Sequence, residues 1–239
     1  MNTLHTATAG FKKESLQTQI CAEIIQQRIS VKIKICGITN VSDALAALDA
    51  GADALGFVFY EQSPRHVTVN DAAEIIRQLP PFAAKVGVFV NATEEAIRQT
   101  VAKCGLDTLQ FHGEETPDFC RKFSPLKVIK AFRIRDAASL RQLDAYETDA
   151  WLLDSFAPDQ RGGTGTTFNW HLACEARESG RPIILAGGLT PENVAEAVHE
   201  VWPYAVDVSS GVESAPGRKD HAMIRDFIAA VRGIENEKF

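Results

Sequence analysis

From Val31 onward, short apolar runs rich in β-branched residues alternate with amphipathic stretches, and this alternation limits the fold more than any other feature. The runs are VKIKIC (31–36), ADALGFVF (52–59), AKVGVFV (84–90), DTLQFH (107–112), KVIKAF (127–132), AWLLDS (150–155), PIILAGG (182–188) and AVDVSSG (205–211). Strands that alternate with helices form parallel sheets. The sequence therefore predicts an α/β protein.

The number of repeats favours one particular α/β architecture. Eight strand-helix units without a Pro-, Gly- or Ser-rich linker fit a closed (β/α)8 TIM barrel, a single domain over residues 31–233. An open, doubly wound sheet is the alternative, because periodicity alone does not show closure. In a barrel, functional groups lie at the C-terminal ends of the strands and in the loops that follow them.

Helix boundaries follow from capping residues. We predict N-caps at Asn40, Asn70, Thr93, Asp136 and Thr190, the last with Pro191 at the first helical position. Helices are predicted to end at Gly51, Gly105 and Gly180.

Residues 1–30 stand outside the repeats as an N-terminal extension. Residues 14–29 carry an apolar stripe at i, i+4 spacing and are predicted to form a helix. Two interpretations remain open: a helix packed on the barrel, or a segment that binds a partner or directs targeting. The first dozen residues are expected to be disordered.

Composition excludes several classes of function. The 25 basic and 31 acidic residues give a net charge of −6, which argues against a nucleic-acid partner. No run approaches the roughly 20 apolar residues of a membrane span, and MNTLHTATAGFKK lacks the apolar core of a secretion signal, so we expect a cytoplasmic protein. The five cysteines form no Cys-x-x-Cys pair, which predicts reduced thiols and no metal site.

Two strand ends carry groups suited to proton transfer. Cys36 closes the first strand and Asp154 the sixth, so both side chains would point into the mouth of a barrel. A thiol and a carboxyl that converge there form a plausible acid/base pair. Taken alone, Cys36 also fits a small core residue and Asp154 a turn residue.

Other loops suggest substrate binding. LAGG (185–188) and DVSSGVE (207–213) follow the seventh and eighth strands, where barrels bind phosphate through backbone N–H groups; tight turns are the simpler explanation. Arg65 follows the second strand and could bind a carboxylate or lie in solvent. His66 and His112 are weaker candidates. GGTGTT (162–167) lacks the third glycine of a dinucleotide motif, and we interpret it as a mobile loop over the site.

Together these segments resemble a known family. The motifs are KICGIT (34–39), FVFYEQSPRHV (57–67), VGVFVN (86–91), LQFHGEE (109–115), LLDS (152–155), GGTGTTFNW (162–170), LAGGLTPENV (185–194) and DVSSGVESAPGRKD (207–220). In order and spacing they are similar to those of the phosphoribosylanthranilate isomerases of tryptophan biosynthesis. The resemblance covers the chain from Val31 to about Arg232.

The resemblance implies a cofactor-free Amadori rearrangement of a phosphorylated small molecule, N-(5-phosphoribosyl)anthranilate. By analogy Cys36 is the general base, Asp154 the general acid, and Arg65 holds the anthranilate carboxylate. The phosphate would lie on the remaining matched positions, which are Gly187, Gly188, Ser210 and Gly211. A monomer and a homodimer are both compatible with the sequence.

Small departures and two rivals complete the sequence-based interpretation. The family often has Lys and Asp where this chain has Thr166 and Asn169, which concerns loop dynamics more than the reaction. The related isomerase of histidine biosynthesis has an aspartate where this chain has Cys36, so it fits less well. A phosphate-binding barrel without turnover is the rival from another functional class.

Overall fold

The computed structural model describes residues 30–155 and 170–236, in which eight parallel strands form a closed barrel. Each strand pairs with the next, and β1 pairs with β8 to close the ring. This confirms the TIM barrel and excludes the open sheet. The strands are β1 Lys32–Cys36, β2 Ala54–Val58, β3 Ala84–Phe89, β4 Thr108–Phe111, β5 Lys127–Ile134, β6 Ala150–Ser155, β7 Ile183–Ala186 and β8 Ala205–Val208.

Helices alternate with the strands in the described chain. They are α1 Val41–Ala50, α2 Val69–Ile76, α3 Glu94–Cys104, α4 Pro117–Arg121, α5 Ala137–Leu140, α6 Trp170–Arg177, α7 Val194–Val201 and α8 His221–Asn236. Three predicted N-caps are confirmed, because the side chains of Asn40, Thr93 and Asp136 accept hydrogen bonds from the first turns of their helices. Helices α1 and α3 end at Gly51 and Gly105, whose backbones are left-handed.

Two predicted N-caps are wrong. Helix α2 is capped by Thr68, whose hydroxyl accepts from the backbone N–H of Asp71, so Asn70 lies inside the first turn. Helix α7 begins after Asn193, and Thr190 instead begins the turn that precedes it. In that turn the Asn193 side chain accepts a hydrogen bond from the backbone N–H of Thr190 at 2.8 Å. The side chain that accepts is therefore that of Asn193 and not that of Thr190.

The core has two layers separated by the sheet. The larger layer packs the outer faces of the strands against the helices, with Phe57, Leu109 and Phe227 fully buried. A smaller apolar cluster fills the inside of the barrel and is made by small and branched side chains from neighbouring strands, for example Val86 and Leu152. This cluster lies between the mouth of the barrel and its opposite end.

Several strand ends are shorter than the apolar runs suggested. Gly187 and Gly188 follow β7 in a loop with positive φ, and Ser210 begins a 3-10 turn, Ser210–Val212, after β8. Sequence analysis also missed a hairpin made by β9 Glu213–Ala215 and β10 Arg218–Lys219. Gly187, Gly188 and Ser210, which the apolar runs assigned to strands, therefore lie after the strand ends at the mouth, as does the hairpin, which was assigned to no element.

Two predictions fall outside the described residues, namely the helix at 14–29 and the loop at 162–167. Among the described helices, none has the length and apolar character that a membrane crossing would require.

Candidate active site

The C-terminal end of the barrel holds an open cavity of about 480 Å³. The structure brings every site residue chosen from the sequence to this cavity, whose lining includes Cys36, Arg65, Asp154, Gly187, Gly188, Ser210 and Gly211. These residues follow five different strands, so barrel closure alone assembles them. His112 also lines the cavity, whereas His66 does not.

Cys36 is held tightly at the end of β1. Its backbone carbonyl accepts a hydrogen bond from the Ser209 hydroxyl at 3.1 Å, and its side chain is 8% exposed. The neighbouring strand leaves room for the thiol only because it carries Gly56: a Cβ there would lie 2.7 Å from Cys36 Sγ. The glycine on β2 therefore fixes where the thiol can sit.

Two opposing effects act on the Cys36 thiol. Burial raises its pKa above the ordinary thiol value, and the positive charge and hydrogen bond of Lys34 oppose that increase without cancelling it. Lys34 lies two residues earlier on β1 and points into the barrel, where its Nζ is 2.8 Å from Asp207 Oδ1. Burial alone would lower the pKa of Lys34, but Asp207 and Cys36 outweigh burial and raise it, so the ammonium stays charged beside the thiol.

Asp154 at the end of β6 has an imidazole as its neighbour. Its Oδ2 lies 3.3 Å from His112 Nε2, and His112 Nδ1 lies 3.2 Å from Gln110 Nε2. Asp154 is partly exposed to the cavity, while Gln110 on β4 is 1% exposed. A polar chain thus leads from the barrel interior to the carboxyl.

Arg65 is anchored by a group that the sequence analysis did not consider. Its Nε and Nη2 donate to the two carboxylate oxygens of Glu213 at 2.8 and 2.7 Å. Lys219 donates to the same carboxylate at 2.8 Å. Burial opposes ionisation of Glu213, but Arg65 and Lys219 outweigh it and lower the pKa of Glu213. The hairpin therefore holds the guanidinium at the mouth and leaves its other N–H groups for a ligand.

The loops after β7 and β8 pack directly on each other. A Cβ at Gly211 would lie 1.9 Å from the Leu189 carbonyl oxygen, so only glycine allows this contact. Gly187 and Gly188 have φ of +84° and +67°, which other residues rarely adopt. Around Gly188 the space is open, and within residues 30–155 and 170–236 no hydrogen bond is donated by its backbone N–H. This geometry suits an anion bound by main-chain N–H groups.

One wall of the cavity is apolar. Val58 and Val88 pack against Cys36, and Tyr60 covers them. A flat, uncharged part of a ligand could therefore lie beside the thiol while charged groups bind at Arg65 and at the glycine loops. Among the described residues, no group of three or more His, Cys, Asp and Glu side chains could hold a metal ion.

Most of the supporting groups are not predicted from the sequence. They are Gln110, Lys34, Asp207 and Glu213, while His112 is a weaker candidate there because it lacks metal-ligand spacing. Period-two alternation offers one usable signal, since Lys34 and Cys36 share a face of β1, and His112, just after the end of β4, continues the face that carries Gln110.

Comparison with known proteins identifies the family. The sequence profile described as "N-(5'phosphoribosyl)anthranilate (PRA) isomerase" matches residues 33–230 of this chain. The chain belongs to the phosphoribosylanthranilate isomerase family. It is therefore an isomerase with the barrel that the resemblance implied. The family's protein from Trichlorobacter lovleyi, named N-(5'-phosphoribosyl)anthranilate isomerase, is 56% identical over 198 residues, which are 83% of this chain and 96% of the relative.

Solved structures of the family are similar as well. One is a phosphoribosyl anthranilate isomerase in complex with reduced 1-(o-carboxyphenylamino)-1-deoxyribulose 5-phosphate, with a TM-score of 0.77 and 44% identity over 85% of this chain and 99% of the other. Another is described as a mutually generated monomer of the dimeric isomerase from Thermotoga maritima, with a TM-score of 0.77 and 42% identity over the same shares.

Proposed function

We propose that this protein converts N-(5-phosphoribosyl)anthranilate to 1-(2-carboxyphenylamino)-1-deoxyribulose 5-phosphate in L-tryptophan biosynthesis, without a cofactor. One observation carries the proposal: a thiol, a carboxyl, an anchored guanidinium and two glycine turns line a single cavity in a chain of this family. The ligand in the related complex carries the same chemical parts, an aromatic carboxylate, an open sugar chain and a phosphate.

In this mechanism Asp154 starts the reaction as general acid. It protonates the ribose ring oxygen, the C1′–O bond breaks, and the nitrogen lone pair forms an iminium. Cys36, as thiolate, then removes the proton from C2′, and the electron pair of that C–H bond neutralises the iminium to give an enolamine. Addition of a proton at C1′ and loss of the proton from the C2′ hydroxyl, which returns a proton to the acid/base pair, complete the ketone. The acid and base stand on β6 and β1, so they can act on different atoms of one substrate.

The binding groups divide along the substrate. Arg65 binds the anthranilate carboxylate with the N–H groups that Glu213 leaves unused, and the aromatic ring lies on the apolar wall formed by Val58 and Tyr60. The phosphate binds in the loops after β7 and β8, where Gly188 and Gly211 bring main-chain atoms close. The reacting carbons are thereby held between the two ends.

Turnover with purified protein tests this assignment. We expect loss of the fluorescence of phosphoribosylanthranilate, and a 10²- to 10⁴-fold lower kcat for Cys36→Ala and for Asp154→Asn, about the contribution of a general base or acid. Unimpaired turnover by Cys36→Ala would contradict the proposed base. Turnover of only the histidine-pathway substrate, or tight binding without turnover, would favour one of the two rivals named above.

We further propose that two copies form a homodimer in the cytoplasm through the N-terminal end of the barrel. A second cavity of about 540 Å³, mostly apolar, opens there, lined among others by Ala84, Ile184 and Tyr204. Phe82 stands in the loop before β3 and is 98% exposed, an unusual state for a large apolar side chain. Its insertion into the partner's cavity would bury both surfaces.

Light scattering coupled to size exclusion tests the dimer. The wild type should elute as a dimer and Phe82→Ser as a folded monomer, while Leu45→Ser, an exposed apolar residue on α1, serves as the matched control and should leave the dimer intact. A monomeric wild type would contradict the proposal.

A further inference from the structure

Beyond the residues assigned above, one buried side chain in the mouth has an unpaired polar atom. Gln110 Oε1 is buried and, within the described parts of the chain, has no hydrogen-bond partner. The other polar atom of the same amide, Nε2, contacts His112 Nδ1 at 3.2 Å. A buried carbonyl oxygen without a hydrogen-bond donor is energetically unfavourable, so an unpaired Oε1 this close to the proposed acid needs an explanation.

Within residues 30–155 and 170–236, two side chains, Gln110 and Asp154, make polar contacts with the His112 ring. Lys130 Nζ donates to the carbonyl oxygens of Phe111 and Gly113, at 3.3 and 2.6 Å, and so fixes the backbone on both sides of His112. The Lys130 ammonium is itself buried against Glu115. With the backbone fixed, the ring orientation depends on Gln110 at Nδ1 and Asp154 at Nε2.

The two orientations of the Gln110 amide require different numbers of protons on the His112–Asp154 pair. In the observed orientation an N–H of Gln110 donates to Nδ1, so a neutral imidazole carries its proton on Nε2 and donates to an ionised Asp154. After a 180° rotation of the amide, Oε1 accepts from an Nδ1–H. Nε2 then either accepts from a protonated Asp154 or carries a proton itself, and both arrangements hold one more proton.

We propose that Gln110 is a positioning residue for the general acid: by turning its carbonyl oxygen to His112 it stabilises the form in which the His112–Asp154 pair holds the proton that goes to the sugar ring oxygen. This inference rests on the proposed function, in which Asp154 is the acid. The observed orientation is then the form after proton delivery, and the unpaired Oε1 is the acceptor that the loaded form uses.

Other charged groups face the pair and stay unchanged in the test. Arg133 on β5 is the register partner of Asp154, and Cys36 and Arg65 reach the same cavity from β1 and the loop after β2. Asp207 on β8 also lines it and is paired with buried Lys34. Beneath the ring, Lys130 is paired with Glu115.

Two substitutions at Gln110 should move the alkaline limb of the kcat/KM profile in opposite directions. Gln110→Met keeps the length of the side chain, but its thioether sulfur is only a weak hydrogen-bond acceptor for the Nδ1–H. The loaded form is therefore destabilised, and the limb shifts to lower pH by about half to one unit, the size of one hydrogen bond. Gln110→Glu offers only acceptors when ionised and shifts the limb to higher pH. KM should change little in either variant. Gln142→Met, which introduces the same side chain beside the neighbouring cavity, is the matched control and should leave the profile unchanged.

Nitrogen NMR of the His112 imidazole supplies a readout independent of turnover, with His112→Asn used to assign the signal. We expect the Nε2–H tautomer in the wild type at alkaline pH and a proton on Nδ1 in Gln110→Glu. Should Gln110→Glu not fold, Gln110→Met carries the test alone. If the wild type is active but neither substitution changes the alkaline limb or the His112 tautomer, the inference is overturned and the proposed function still stands. Full activity of Asp154→Asn instead removes the general acid on which the inference rests, and absence of phosphoribosylanthranilate turnover by the wild type overturns the proposed function, whatever the tautomer shows.

Discussion

Adding one methyl group at Gly56 should disable the proposed base without touching it chemically. The Cβ of Gly56→Ala would lie 2.7 Å from Cys36 Sγ and 3.1 Å from the Cys36 Cα. Nonbonded atoms of this size rest about 3.5–4.0 Å apart, so the thiol must move by about 1 Å. A displacement of 1 Å in a reacting group costs about 10²-fold in rate, which corresponds to about 2.7 kcal/mol of transition-state stabilisation.

The matched control is Gly233→Ala. Gly233 lies in α8, where an added Cβ meets no atom within 4 Å, so the same chemical change should leave turnover unaltered. It should raise the free energy of unfolding by about 0.5–1 kcal/mol, since alanine favours a helix over glycine. Gly56→Ala should instead lower it by about 1–3 kcal/mol through overpacking.

Steady-state fluorescence kinetics and thermal unfolding of both variants test this prediction. We expect kcat of Gly56→Ala to fall about 100-fold in protein that is still folded at the assay temperature, with Gly233→Ala at the wild-type value. A folded Gly56→Ala enzyme within about threefold of wild type would refute the reasoning that the thiol works from the position that Gly56 leaves open.

Three further predictions concern charge and the extension. Lys34→Met removes the group that opposes the effect of burial on Cys36, so the thiol pKa should rise further. The acidic limb of the kcat/KM profile should shift to higher pH, and kcat/KM at pH 7 should fall by about tenfold or more for each unit by which the thiol pKa rises. Deletion of residues 1–30 should leave kcat unchanged, because the proposed chemistry lies after Val31; a folded but inactive truncation would contradict this. Burial opposes ionisation of Asp43, but hydrogen bonds from Lys219 N–H and His221 outweigh it and lower its pKa. Its contribution to stability is therefore present above its ordinary pKa and lost as pH falls through the lowered one, so in denaturant titrations Asp43→Asn should cost about 1–3 kcal/mol at pH 7 and little in strong acid.

Strand positions were predictable because the apolar pattern of each strand lies within a short stretch of sequence. Cys36 and Asp154 could be placed at the mouth for the same reason, since each closes an apolar run. The wrong N-cap predictions fall where two polar side chains that could cap the same helix lie close together in the sequence. Thr68 and Asn70 are both good capping residues two positions apart, and only the packing of α2 decides between them.

The partners of the site residues could not be found in this way. Glu213 meets Arg65 across 148 positions, and Asp207 meets Lys34 across 173. Both contacts exist only after β8 has joined β1 and the hairpin β9–β10 has folded back over the mouth. No local pattern encodes such a contact, so the candidate site residues could be placed at the mouth from the sequence, but the groups that hold them could not be predicted.

The buried pair of Lys34 and Asp207 links the stability of the barrel to its chemistry. The two residues stand on β1 and β8, the strands whose pairing closes the ring, and removal of one partner of such a pair costs about 3–5 kcal/mol because the other charge is left buried. Asp207 also raises the pKa of the Cys36 thiol, whereas Lys34 lowers it. The pair therefore cannot be tuned for a more acidic thiol without weakening the closure. The Lys34 ammonium is already paired with Asp207 between the first strand and the last, and its opposing effect does not cancel that of burial, so the pKa of the Cys36 thiol stays raised.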